Sequence, residues 1–585
     1  MFRSRLDITR AARGAVVGLL FVGACKSGTE PKNKACGSVA PLSLAPGEVR
    51  VGINGTSVCA AGGPAGAEYA LVPFNSSVTY ATVATVNFTA KSAAAIPVLT
   101  LSRTSGTGSL LQASAQELPQ LMAVRPSFEA RLRRSEQRFL APRMAAARAW
   151  YRNQLARGGT NSRFGTSRSI AGAPPAIGDL ITLNTKTGDT FDDACTTPDN
   201  RTGRVAAISS TAIIVADTAN PVGGYSDDEY LQIGQKFDTV FTVDTNAFSG
   251  PTDIDGNGKV IIFFTRAVNE MTPHGSDSFV GGFFYGRDLF PKQDTPELGP
   301  GSGCATSNFA EMFYVIVPDP NGVVNGNVRA KDFVQRIALS TTAHEFQHLI
   351  NAARRLYVNV EATSFEIEWL NEGLSHVAEE LYFYNQSDHL SPRLDIDSLR
   401  FRGNQKNVDA YNFNQSSNFG RLREYLAKPS SNSPYASNDS LETRGATWSF
   451  LRYAADHRGT SDGDTWRKLV NSTTFGMANL RNVFGTDLTS IFRDWATATI
   501  ADDIAGVGAQ WQQPSWHFKS VYHYIPSIHS YPLATVTVGE TTPVSVSLNG
   551  GGVAYVRFTI AANESGLVEW TTPSTDVQFS LVRLK

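Results

Sequence analysis

Thr342-Ala343-His344-Glu345-Phe346-Gln347-His348-Leu349-Ile350 is a His-Glu-x-x-His run, answered downstream by Trp369-Leu370-Asn371-Glu372-Gly373-Leu374-Ser375. Ile337, Thr341, His344, His348 and Ala352 recur at three- and four-residue spacing, which predicts a helix with both imidazoles on one face. Two neutral imidazoles one turn apart can occupy two corners of a zinc tetrahedron, with Glu345 projecting beside them. A catalytic zinc needs a third protein ligand and one open position. Glu372, 24 residues past His348 in a second helix-like segment, can supply that carboxylate. Glu345 is then placed to take a proton from water and return it to a leaving amine. The chain has nine His in 585 residues, so the pattern is not a product of histidine abundance.

His344-Glu345-Phe346-Gln347-His348 followed by Asn371-Glu372-Gly373-Leu374-Ser375 resembles the gluzincin metallopeptidases, whose third zinc ligand is a Glu in an Asn-Glu-x-x-Ser motif. The wider context is most similar to the hyicolysin-type neutral metallopeptidases. It includes Asp253-Ile254-Asp255-Gly256-Asn257-Gly258-Lys259-Val260, Gly286-Arg287-Asp288-Leu289-Phe290 and Phe492-Arg493-Asp494-Trp495, across roughly residues 176 to 530. The resemblance implies an α+β metallopeptidase domain, a mixed sheet plus helices with the zinc helix at a cleft. It also implies protein or peptide substrates. One departure stands out. The thermolysin pattern has an Asp four residues after the ligand Glu, supporting a histidine ligand; here that place is His376. Glu379, seven residues after Glu372, is placed to orient an imidazole or to ligate in its stead. An oxyanion donor is also needed, and His376, Tyr411, Tyr435 and Arg444 are the candidates.

The expected organisation is a signal peptide over 1–25, a small β module over 26–104, a basic helical linker or pro-segment over 105–175, the metallopeptidase domain over 176–530, and a C-terminal β module over 531–585. Arg3, Arg5, Arg10 and Arg13 precede the short apolar run Ala15 to Val22, the pattern of an export signal. Val22-Gly23-Ala24-Cys25 resembles a bacterial lipobox, which implies lipidation at Cys25, membrane association through that lipid and a place in the bacterial cell envelope. Cys36, Cys59, Cys195 and Cys304 remain, an even number for an oxidising compartment. Three pairings are open; local pairing joins Cys36 to Cys59 and Cys195 to Cys304.

Short alternating runs such as Tyr69-Ala70-Leu71-Val72 and Val544-Ser545-Val546 read as strands of β-sandwich modules at the two ends, acting as spacers. From Arg125 to Arg168 there are eleven Arg against two acids, Glu129 and Glu136. Such a segment suits anionic lipid or a pro-segment over the site, but a solvated helical linker with Phe128, Leu132 and Phe139 resting on a neighbour is the preferred expectation. Asp253, Asp255 and Asn257 match the opening half of a calcium loop, the residues a Ca2+ ion would use. The closing Glu is missing, since Phe264 stands at the twelfth position, which favours a tight turn entering a strand.

Net charge is −1, from 52 basic and 53 acidic residues, and gives no reason to expect nucleic acid. The competing class is a binding protein or adhesin built on an inactive metallopeptidase scaffold. An intact Glu345 argues against it, because a binding scaffold has no use for a base.

Overall fold

The computed structural model describes residues 35–96, 126–156, 175–187, 194–276, 279–294, 303–526 and 528–585. The export signal, Cys25, and most of the Gly- and Ser-rich stretch from Gly158 to Pro175 lie outside them.

Four N-terminal strands come first: β1 Val49–Val51, β2 Ser57–Ala61, β3 Ala67–Asn75 and β4 Ala84–Lys91. A helical segment follows, α1 Pro126–Ser135, one π turn (Glu136–Leu140), a 3-10 turn (Ala141–Arg143) and α2 Met144–Ala156. The central unit opens with β5 Leu180–Asn184, β6 Asn200–Ile208 and β7 Ala212–Asp217. Next come α3 Asp227–Phe248, β8 Val260–Phe264, β9 Gly282–Phe283 and β10 Met312–Val315. The helical half carries α4 Lys331–Tyr357, α5 Glu368–Gln386, α6 Gln405–Asn414, α7 Ser416–Ala427 and α8 Leu441–Arg458, with shorter helices to Tyr524. The chain closes with β11 Val536–Thr537, β12 Val544–Leu548, β13 Val556–Ile560, β14 Ser565–Thr571 and β15 Val577–Arg583.

The architecture is α+β, as expected. The central sheet is six-stranded and mixed, in the order β5-β6-β7-β8-β10-β9. β7, β8 and β10 run parallel, and β9 folds back antiparallel on β10 as the edge. A parallel neighbour demands a crossover, which α3 provides between β7 and β8. Covered on both faces, β8 is an unbroken Val-Ile-Ile-Phe-Phe run buried at every position. α4 packs along this sheet beside β10 and against α3 and α5.

The two terminal β modules are corrected to a single sandwich. One sheet has the order β1-β15-β3-β13-β11 and the other β12-β4-β14-β2. β1 pairs with β15, β2 with β14, β3 with β13 and β15, and β4 with β12 and β14. Each ladder of the four N-terminal strands therefore runs to the C-terminal stretch. Alternation in sequence marks a strand and its buried face but not its partner. Strands from either end, left alone, would keep open edges and an uncovered apolar face. Tyr69, Leu71, Val86, Phe88, Phe558, Trp570 and Leu581 close one shared core.

The disulfides form as local pairing predicts, Cys36 with Cys59 and Cys195 with Cys304. Phe128 and Leu132 enter the core, but the solvated linker is corrected in its charges, since Glu129, Arg133 and Glu136 are buried as well. An Arg-rich composition says how much charge a segment carries, not which way each side chain turns. Arg148 of α2 donates to the carbonyl oxygens of Arg355, Leu356 and Ala362 at 2.7 to 2.9 Å, capping the C-terminal end of α4.

Candidate metal centre

His344, Glu345 and His348 leave the middle of α4, and Glu372 leaves the first turns of α5. Both helices pack closely there. A Cβ on Gly373 would sit 2.4 Å from Thr447 Cγ2 of α8, and one on Gly445 would sit 2.2 Å from the Arg421 backbone of α7. These two glycines let α5, α7 and α8 approach, which brings Arg444 and Arg421 to the site.

His344 Nε2 and His348 Nε2 face each other at 3.1 Å. His344 Nε2 is 3.4 Å from Glu372 Oε2, and His348 Nε2 is 3.4 Å from Glu372 Oε1. Four ligands at 2.0–2.1 Å around a zinc ion stand about 3.3 Å apart, close to these separations, with each imidazole nearest a different oxygen of Glu372. Neither carboxylate oxygen of Glu372 accepts a hydrogen bond, though the residue is fully buried. Arg444 Nη1 lies 2.8 Å from Oε2 as a charge contact without hydrogen-bond alignment. Arg444 offsets the buried charge, but both oxygens remain without a hydrogen-bond donor, and the donor set fits a divalent ion.

The far nitrogens of both rings are held. His344 Nδ1 donates to Glu379 Oε1 at 2.8 Å. Ser375 Oγ donates to Gln347 Oε1 at 2.7 Å and lies 3.0 Å from His348 Nδ1 and 3.3 Å from its Nε2. When the His344 ring is neutral, the bond to Glu379 keeps its proton on Nδ1 and leaves the Nε2 lone pair facing inward. With His376 four residues after Glu372, it is Glu379 that holds the His344 ring, and Ser375 lies beside the His348 ring. Glu379 is fixed in turn by His376 Nδ1 at 3.0 Å and Arg421 Nη1 at 2.9 Å.

Electrostatics follow from this packing. Burial opposes charge on Glu372 and Glu379, yet Arg444 and His348 for the first, and Arg421 and His376 for the second, hold both well below the usual carboxylate range. Burial also disfavours a charged His344, but Glu372 and Glu379 outweigh it and raise the imidazole to about 10 in the metal-free chain. Burial dominates at His348, lowered to about 4. Burial pushes Glu345 up to about 7 against the pull of His344 and Arg133. Its Oε2 accepts from the Phe284 amide at 2.8 Å.

A pocket of about 70 Å³ opens onto this cluster, walled by Gly282, Thr341, His344, Glu345, Arg444 and, from α1, Glu129. Of the four oxyanion candidates, Arg444 lines it. Tyr411 packs between Phe401 and Phe419, Tyr435 donates to Ser77 O, and His376 sits behind Glu379. Arg421 and Glu129 line the pocket too, and sequence reasoning missed both roles. An Arg on a separate helix next to a pinned carboxylate left no local motif.

The turn Asp253 to Gly258 is closed by its own side chains. Asp253 Oδ1 accepts from Gly258 N at 3.1 Å and Asp255 Oδ1 from Asn257 N at 3.1 Å. Asn257 Oδ1 is used on Lys259 N at 2.6 Å. Glu311 is gathered with Asp253 and Asp255.

This chain is similar to the neutral metalloprotease ShpI of Staphylococcus hyicus, 30% identical over 165 residues, which is 28% of this chain and 33% of that protein. The match thus spans a third of that relative's length. No family model matches the chain. The similarity supports a metallopeptidase relationship, and His344, His348 and Glu372 form a cluster that could bind a metal ion.

Proposed function

We propose that the chain is a zinc-dependent endopeptidase, exported and anchored to the bacterial cell envelope through a lipid on Cys25. The observation that carries the chemistry is the buried cluster of His344 Nε2, His348 Nε2 and the two Glu372 oxygens, with the rings 3.1 Å apart and each 3.4 Å from one of those oxygens. His344, His348 and Glu372 would hold the ion, and Glu379 and Ser375 would hold the rings. Zinc supplies Lewis-acid chemistry, acidifying water and polarising a scissile carbonyl.

The chain's own groups supply the rest. Glu345 is the base: the Phe284 amide holds its Oε2 and leaves Oε1 to take a proton and pass it to the leaving amine. A carboxyl pushed up to about 7 by burial is suited to both directions of that transfer near neutral pH. Arg444, in the pocket wall beside Glu372, offsets negative charge as it develops. The catalytically inactive adhesin reading leaves the Phe284–Glu345 hydrogen bond and the orphaned Glu372 oxygens without a purpose.

The test is zinc content together with cleavage of casein and a peptide library. Glu345→Gln should keep about one zinc per chain while activity falls by ~10²-fold or more. Zinc-loaded wild type that cleaves nothing, with Glu345→Gln indistinguishable from it, would sink the peptidase reading.

A further inference from the structure

The Arg444 guanidinium is a rigid fork, so fixing one of its edges decides where the other points. Its Nε donates to Asp439 Oδ1 at 2.7 Å and its Nη2 to Asp439 Oδ2 at 2.8 Å. Both residues are buried. Clamped along that edge, the group cannot swing, and Nη1 is left 2.8 Å from Glu372 Oε2 in the wall of the metal pocket. Asp439 itself holds a left-handed backbone, φ 44°, which a non-glycine residue keeps where its surroundings impose it.

Those surroundings include the sandwich. Asp439 lies near the end of the loop 428–440 that joins α7 to α8. That loop meets the connection between β3 and β4 and the connection between β12 and β13, one from each end of the chain. Tyr80 Oη donates to Ser431 O at 3.0 Å and accepts from Asn438 Nδ2 at 3.0 Å. Tyr435 Oη donates to Ser77 O at 3.0 Å, and a Cβ on Gly551 would sit 2.5 Å from the Tyr435 ring. Asn438 carries the connection onward. Its Oδ1 accepts from Thr443 Oγ1 at 2.7 Å, in the first turn of α8 and one residue before Arg444.

We propose that Asp439 is the positioning residue for Arg444, and that the sandwich sets this pair through Tyr80 and Asn438, which makes the sandwich a working part of the active site and not a spacer. The proposal rests on the peptidase reading above. Packing alone is a weak reason to bury such a pair, since replacing a buried ion pair by apolar residues is often neutral or stabilising. A donor that offsets developing charge has a different requirement. It must be aimed before the reaction starts, because a mobile group spends the gain on its own reorganisation. Asp439 meets that requirement by holding two nitrogens and leaving the third at the pocket.

The experiment uses the full chain with Asp439→Asn and Tyr80→Phe, each made alone and together with Arg444→Ala. Tyr80→Phe loses one hydroxyl from a half-buried ring, so it keeps the test open should Asp439→Asn fail to fold. The first readout needs neither metal nor turnover: the Arg444 Nε–H resonance of metal-free protein isotope-labelled on arginine nitrogen, identified by its loss in Arg444→Ala. Its proton should exchange with solvent ~10-fold faster in both single variants than in wild type. The second readout is kcat and KM of the zinc-loaded protein on a quenched peptide. Asp439→Asn should lower kcat ~10-fold and Tyr80→Phe ~3-fold, with KM within about twofold. Neither should lower kcat further once Arg444 is Ala, because a residue acting through Arg444 then has nothing to act on. Equal losses with and without Arg444 would show general packing and overturn positioning. Unchanged exchange and kcat in Tyr80→Phe would return the sandwich to a spacer and overturn its part in the proposal. Faster exchange in both variants, with no cleavage even by wild type, would uphold the clamp and overturn the peptidase reading.

Discussion

His344 Nδ1 lies 2.8 Å from Glu379 Oε1, and the other oxygen of that carboxylate is 2.9 Å from Arg421 Nη1. One acid thus fixes the tautomer of an inward-facing imidazole and is itself fixed from α7. Removing such a partner typically costs 10–100-fold in metal affinity. Glu379→Ala should therefore weaken zinc binding by ~10–100-fold, read by competition with a chromogenic chelator, while Glu372→Ala, which removes a direct donor, should weaken it more. If Glu379→Ala strips the metal and Glu372→Ala keeps it, the two glutamates have exchanged roles.

The Cys195–Cys304 bridge closes a sequence separation of 109 residues within the central unit. In the chain-entropy picture a loop of that length stabilises by ~4–5 kcal/mol, offset by any native strain. Cys195→Ala/Cys304→Ala should lower the thermal midpoint of the central unit measurably. An unchanged midpoint would show that reduced and oxidised chains share the same unfolded ensemble.

The donor cluster was legible because helical periodicity fixes which residues share a face, and His344 and His348 needed only that. Glu372 was legible from its Asn-Glu-Gly setting, and Gly373 proves to be required by the approach of Thr447. Arg421, Glu129 and Glu311 were not, because each reaches its cluster through tertiary packing with no spacing rule to announce it. The disulfides were readable because local pairing keeps each bridge inside one expected domain. The sandwich was misread as two modules because strand partners as distant as Val49 and Val582 leave no local trace.

That interleaving is testable. A chain ended at residue 533 removes every ladder partner of β1 to β4. Amides of β3, buried along their whole length in the intact protein, should then exchange with solvent deuterium at unprotected rates. Two independent modules would leave their protection unchanged.

Asp244 on α3 is fully buried, and neither of its carboxylate oxygens has a hydrogen-bond partner. Burial alone raises its pKa well above the ordinary value. An acid whose folded pKa is raised keeps its proton in the folded state where the unfolded chain has released it. Its contribution is intact below the unfolded value near ~3.9 and is lost as pH climbs above it, at up to ~1.4 kcal/mol per pH unit. Asp244→Asn cannot ionise, so its stability relative to wild type should improve steadily from pH 5 to pH 8, measured by urea unfolding at each pH. A difference between the two proteins that does not change with pH would mean that Asp244 is ionised in the fold and that a cation or water reaches it.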